Sequence, residues 1–142
     1  MPLIAIVGPL LLIAALAVAL VAFGQWRDRK IERIFADSRL PGARAHAKCM
    51  LRVFGLECPA VALATDDELV IHSIFGNVRR IPLAHIVLKQ ETPGTGHSGW
   101  WGKRMFHLEC PEEPLLVLGL ADPVPWRNVF QLRPTASVQP PP

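Results

Sequence analysis

Residues 3–23 read LIAIVGPLLLIAALAVALVAF, an unbroken apolar run from Leu3 to Phe23 without one charged side chain. About 20 such residues, rising 1.5 Å each, cross the roughly 30 Å of bilayer hydrocarbon, so the run predicts a transmembrane helix over residues 1–25. A cleaved signal peptide is the competing reading, and Ala17 with Ala19 forms the small-x-small pair of a cleavage site. Such a peptide normally has a basic leader and an apolar segment of only about 7–15 residues, whereas no basic side chain precedes Leu3. A helix buried inside a soluble domain would need a larger core than the remaining chain can build.

Working outward from the run, Trp26 falls at the depth of an interfacial aromatic, and Arg27, Arg29, Lys30 and Arg33 follow at once. Excess Lys and Arg beside a span stays cytoplasmic, which predicts an N-terminus outside, a C-terminal domain inside, and residence in the inner (plasma) membrane. Residues 27–44 hold six basic and three acidic side chains, the whole of the formal +3, while the rest of the chain balances. The basic pI of about 9.1 therefore reports orientation and gives no reason to expect a nucleic-acid partner.

Within the run, steps of three and four residues connect Ala5, Gly8, Leu12, Ala15, Ala19 and Ala22, a seam in which only Leu12 is large. Small residues let helix backbones approach closely in lipid, so the seam predicts packing against another transmembrane protein or a second copy of this chain. Leu10, Leu11, Ile13, Leu16, Val18 and Leu20 occupy the other faces and suit acyl chains.

Past Gln25 the helix is expected to continue as a basic amphipathic segment over residues 26–42, with Ile31, Ile34 and Phe35 on one side, and to stop near Pro41-Gly42. The pattern then shifts to short apolar runs separated by turn residues: 48–54, 60–65, 68–75, 78–81, 84–90, 104–110 and 115–119. Seven such runs predict a small antiparallel β barrel or sandwich over residues 43–132. Asp122-Pro123 and Pro125 mark a helix start, and Trp126, Val129 and Phe130 recur at helical spacing. The Pro-rich stretch 133–142 reads as a disordered or polyproline tail.

Within this order, Ala62-Leu63-Ala64-Thr65-Asp66-Asp67-Glu68-Leu69-Val70-Ile71 followed by Arg79-Arg80-Ile81-Pro82-Leu83-Ala84-His85-Ile86 resembles bacterial pleckstrin-homology-like (PH-like) domains of membrane-associated proteins. The resemblance covers roughly Cys49 to Leu132 and implies a seven-stranded antiparallel barrel closed by a C-terminal helix, with Ile81, Leu83 and Ile86 in the core. It implies no catalytic residues. The interleaved Lys and Arg of lipid-binding eukaryotic members are absent.

No phosphate-cradling glycine motif, nucleophile elbow, haem attachment sequence or zinc spacing occurs, so the expectation is a non-enzymatic protein without cofactor or metal. Asp66, Asp67 and Glu68, like Glu112 and Glu113, fall in expected turns without a helpful His or basic partner, which fits solvation better than acid–base work. Cys49, Cys58 and Cys110 are odd in number and fall in the part assigned to the reducing cytoplasm, so they read as free thiols. His46 with Cys49, and His107 with Cys110, have ligand-like spacing, yet His107 and Cys110 fall in an expected strand, where residues three apart face opposite ways, and small buried thiols with ordinary histidines are the expected reading.

The loop 92–102 sets Gly94, Gly96 and Gly99 beside Trp100-Trp101, with Lys103 and Arg104 following, which reads as an interaction loop or interfacial anchor. The sequence as a whole points to a membrane-anchored accessory module docking on a larger membrane complex. The alternative is a sensor of anionic lipid headgroups using Arg79, Arg80, Trp100 and Trp101.

Overall fold

The computed structural model describes residues 2–53, 55–94, 104–111 and 116–131. An N-terminal helix α1 (Pro2–Asp37) precedes strands β1 (Ala45–Val53), β2 (Leu56–Ala64), β3 (Glu68–Ser73), β4 (Val78–Pro82), β5 (Val87–Pro93), β6 (Arg104–Glu109) and β7 (Leu116–Leu120), and helix α2 (Val124–Gln131) closes the order. Expected loop residues Trp100, Trp101 and Lys103 and the 133–142 tail lie outside the described residues.

The strands form one antiparallel sheet in the order β4-β3-β2-β1-β7-β6-β5. Two meanders of neighbouring strands thus meet where β7 returns beside β1, and Cys49 pairs with Ala60 on one side and Leu120 on the other. The inner face collects Cys49 and Leu51 from β1, Ala60, Ala62 and Ala64 from β2, Leu69 and Ile71 from β3, Phe106 and Leu108 from β6, and Leu116, Leu118 and Leu120 from β7. Ile81, Leu83 and Ile86 join this core.

Helix α2 covers it with Trp126, Val129 and Phe130, spaced to share one helical face. Phe130 packs against Phe106 with ring centroids 5.6 Å apart and against Trp126 at 6.0 Å. Asp122 opens the helix by accepting the Val124 amide at 3.2 Å, the role of a short acidic side chain at a helix start.

The turns follow their side chains. Thr65 Oγ accepts the amides of Asp67 and Glu68 and donates to the Glu68 carbonyl, which closes the β2–β3 turn at its polar pair. Gly76 adopts φ 91° and lets the Ser73 amide reach the Asn77 carbonyl at 2.8 Å.

Several boundaries differ from the sequence expectation: β1 starts at Ala45 instead of Lys48, β2 at Leu56 instead of Ala60, β3 ends at Ser73 instead of Phe75, and two further shifts have a clear local cause. Helix α1 ends at Asp37, before Pro41-Gly42, because Leu40–Ala43 forms a separate turn with Gly42 at φ 81°. The fifth strand begins at Val87, later than Ala84, because Leu83–His85 forms a single 3-10 turn. Proline at 82 has no amide to give the ladder, and Leu83 instead turns inward while its amide donates to Asp67 O at 2.8 Å.

Candidate functional site: the helix-to-sheet junction

Strand β2 carries the unusual run Ala60-Val61-Ala62-Leu63-Ala64, in which every residue is buried. A strand with one solvated face alternates apolar and polar residues, so a continuous apolar run needs cover on both faces. Ala60, Ala62 and Ala64 point into the core, and Val61 points outward beneath α1.

The cover is the C-terminal third of α1. Ile31, only 2% exposed, packs with Val61 and with Ile74 after β3, and Ile34 and Phe35 flank it. Phe35 lies flat on the His46 ring, with centroids 4.2 Å apart and planes 3° apart. Ser38 Oγ and His46 Nε2 share a hydrogen bond of 2.9 Å. On the same seam Lys48 ion-pairs with Glu32 and places its ammonium 5.5 Å from the Phe35 ring centroid.

Burial lowers the His46 imidazole below its ordinary value of 6.5, and Arg39 and His72 push in the same direction. The His72 ring is also lowered, by burial and then by Arg80.

One helix therefore has two environments without a break between them. Pro2–Asp37 is long and apolar enough to cross a membrane, and its most apolar part is not buried by the rest of the chain. The seam residues Ala5, Gly8, Leu12, Ala15, Ala19 and Ala22 all belong to this exposed part. Between the two zones Trp26 packs against Phe23 at 5.6 Å, Lys30 sits 4.9 Å over the Trp26 ring, and Arg27 pairs with Asp28. A groove of about 610 Å³ runs along this side past Trp26, Arg29, Lys30 and Arg33.

A second concavity, of about 450 Å³, opens between the β1–β2 and β3–β4 turns among Leu51, Val53, Leu56, Cys58 and Phe75, with Arg79 at its wall. Strand alternation separates Arg79 from Arg80: the first shares the face of buried Ile81, whereas the second points outward and donates to Glu68 at 2.7 Å.

Arg104, on β6, is remote from them in strand order and donates to Glu91 at 2.9 Å. Arg127 of α2 reaches the same carboxylate through Nε and Nη2, the shorter contact being 2.7 Å. The three residues tie α2 to the β5–β6 edge. Hydrogen bonds from Arg127 and then Arg104 pull the Glu91 carboxyl down to about 2.

Arg79, Arg80 and Arg104 thus lie, respectively, at the wall of the cleft, on the outer face of β4, and in an ion-pair cluster with Glu91 and Arg127. Among the described residues no group of His, Cys, Asp and Glu side chains is arranged to hold a metal ion. Cys49 and Cys110 are buried thiols and Cys58 is half-buried. Sequence reading missed the docking of α1 on the sheet, although the unalternating run at Ala60–Ala64 signalled a covered outer face.

No family model matches this chain, and no curated protein matches it.

Proposed function

We propose that this chain is a membrane-tethered, non-enzymatic interaction module. In this reading α1 spans the inner (plasma) membrane with its N-terminus outside, and a PH-like β domain serves at the cytoplasmic face as an accessory subunit of a larger membrane complex. The observation that carries it is the continuity of α1: the exposed apolar part and the part docked on β2 belong to one helix, so the domain has a fixed seat relative to the anchor. A flexible tether would allow the domain to search, whereas a docked helix presents one surface in one orientation. The strand order, with β7 returning to β1 and a terminal helix over the core, supports the PH-like assignment.

Headgroup sensing has less support, because Arg80 and Arg104 already engage Glu68 and Glu91. The test is extraction of the full chain from its native membrane in mild detergent, followed by affinity purification and mass determination of the intact particle. A membrane protein recovered in fixed stoichiometry is the expected result. A particle containing a single copy of this chain and lipid alone would overturn the reading.

A further inference from the structure

The docking of α1 sets the heights of Leu56, beside the β1–β2 turn, and of Phe75, in the β3–β4 turn, relative to the span. Glu32 meets Lys48, while Phe35 and Ser38 meet His46. From Lys48 to His46 the strand advances about 6.6 Å, at roughly 3.3 Å per residue. The helix advances about 4.5–9 Å over the matching three to six residues. Equal advances mean that β1 runs alongside α1 in the opposite sense, so β1 climbs toward the membrane as its residue numbers rise.

Continuing from Lys48 to Val53 adds about 16 Å, equivalent to roughly eleven helical residues counted back from Glu32. That level lies within one turn of Phe23, where the apolar run ends. Leu56 pairs with Val53 at this tip and is 78% exposed. The β3–β4 turn is lower: the Ile74 amide donates to Pro59 O at 3.1 Å, and Pro59 pairs with Met50, two residues above Lys48. That places Phe75, 66% exposed, at about the level of Asp28, in the layer just below Trp26. Exposed large apolar side chains at two turn tips facing the same way are poorly explained by water.

Building on the spanning reading of α1, we propose that the β1–β2 and β3–β4 turns rest in the cytoplasmic interface of the same bilayer. Leu56 enters at the hydrocarbon boundary and Phe75 among the headgroups. The occupant of this surface is the lipid layer itself, because continuity of α1 with the docked sheet carries the turns to that depth. The contact is apolar and needs no particular headgroup. It fixes the tilt of the domain at a third place beyond the span and the helix seam.

The test is photo-crosslinking of the full chain in phosphatidylethanolamine/phosphatidylglycerol proteoliposomes, with p-benzoylphenylalanine placed singly at Leu11, Leu40, Leu56 or Phe75 and adducts read by intact mass. Leu40 is an exposed apolar control beyond the far end of α1, and Leu11 reports the span. Lipid adducts at Leu11, Leu56 and Phe75 with none at Leu40 are expected. Adducts at Leu11 with Leu56 and Phe75 as bare as Leu40 would overturn the turn contact alone. Absence at Leu11 as well would overturn the spanning helix on which it rests.

Discussion

Phe35 and His46 stack face to face at 4.2 Å, joining the end of the N-terminal helix to the first strand of the sheet. The contact favours a neutral imidazole, since burial, Arg39 and His72 all oppose a charge on that ring and Lys48 brings another cation to the Phe35 ring. Glu32, paired with Lys48, is the acidic group on this seam. A histidine with a lowered folded-state pKa contributes stability that is complete above its unfolded value of about 6.5 and is lost as pH falls through the folded value. Docking of α1 should therefore loosen below pH 6.5. Hydrogen exchange at the Val61 and Ile74 amides checks this: exchange corrected for its intrinsic pH dependence should accelerate on acidification, and His46→Gln should flatten the response.

Removing the buried seam residue tests the same junction by packing. Ile31→Ala deletes apolar volume between Val61 and Ile74 and should cost about 2–4 kcal/mol of docking free energy. Its expected signature is local: faster protease cleavage between Asp37 and Arg44, with unchanged β-sheet circular dichroism. A global loss of sheet signal would show that the β domain depends on the helix for folding.

The sequence made the strands legible because their turns carry strong local chemistry: Thr65 before an acidic pair, Gly76-Asn77, and Pro111 after the sixth strand. The C-terminal helix was legible for the same reason, through Asp122 and the spacing of Trp126, Val129 and Phe130. The helix-to-sheet junction was not, because amphipathicity at Ile31, Ile34 and Phe35 states that a face is apolar without naming what covers it. Only pairing that face with the doubly buried run of β2 identifies the partner, and that is a long-range relation. The roles of Arg80 and Arg104 were hidden likewise, since Glu68 and Glu91 lie 12 and 13 residues away in the chain.

Glu91 gives a second, opposite-edge test of pH behaviour. A carboxylate pulled to about 2 by Arg127 and Arg104 contributes stability that is full above its unfolded value of about 4.5 and is lost as pH falls toward 2. Melting temperature should therefore drop through that window in the native chain. Glu91→Gln should melt lower at neutral pH and show a shallower acid decline, as measured by differential scanning calorimetry in detergent. Equal acid profiles for the two proteins would remove the ion-pair cluster from the account of how α2 is held.

The proposed orientation depends on Arg27, Arg29, Lys30 and Arg33, the basic residues nearest the apolar run. Because charge bias within about 15–20 residues of a span sets which end crosses, neutralising all four should reduce the cytoplasmic fraction of the C-terminal domain. Adding arginines before Leu3 in that variant should invert it. The readout is a paired reporter fused after Pro142, one half active only in the cytoplasm and the other only outside. Ile31, Ile34 and Phe35 are left unchanged, so the domain keeps its seat on α1 and an altered reporter signal reflects topology rather than undocking. Glu32 also keeps its Lys48 partner. If the reporter stayed cytoplasmic in both variants, the basic cluster would have to be reassigned to binding at the groove beside Trp26, and the placement of the β domain would need a different cause.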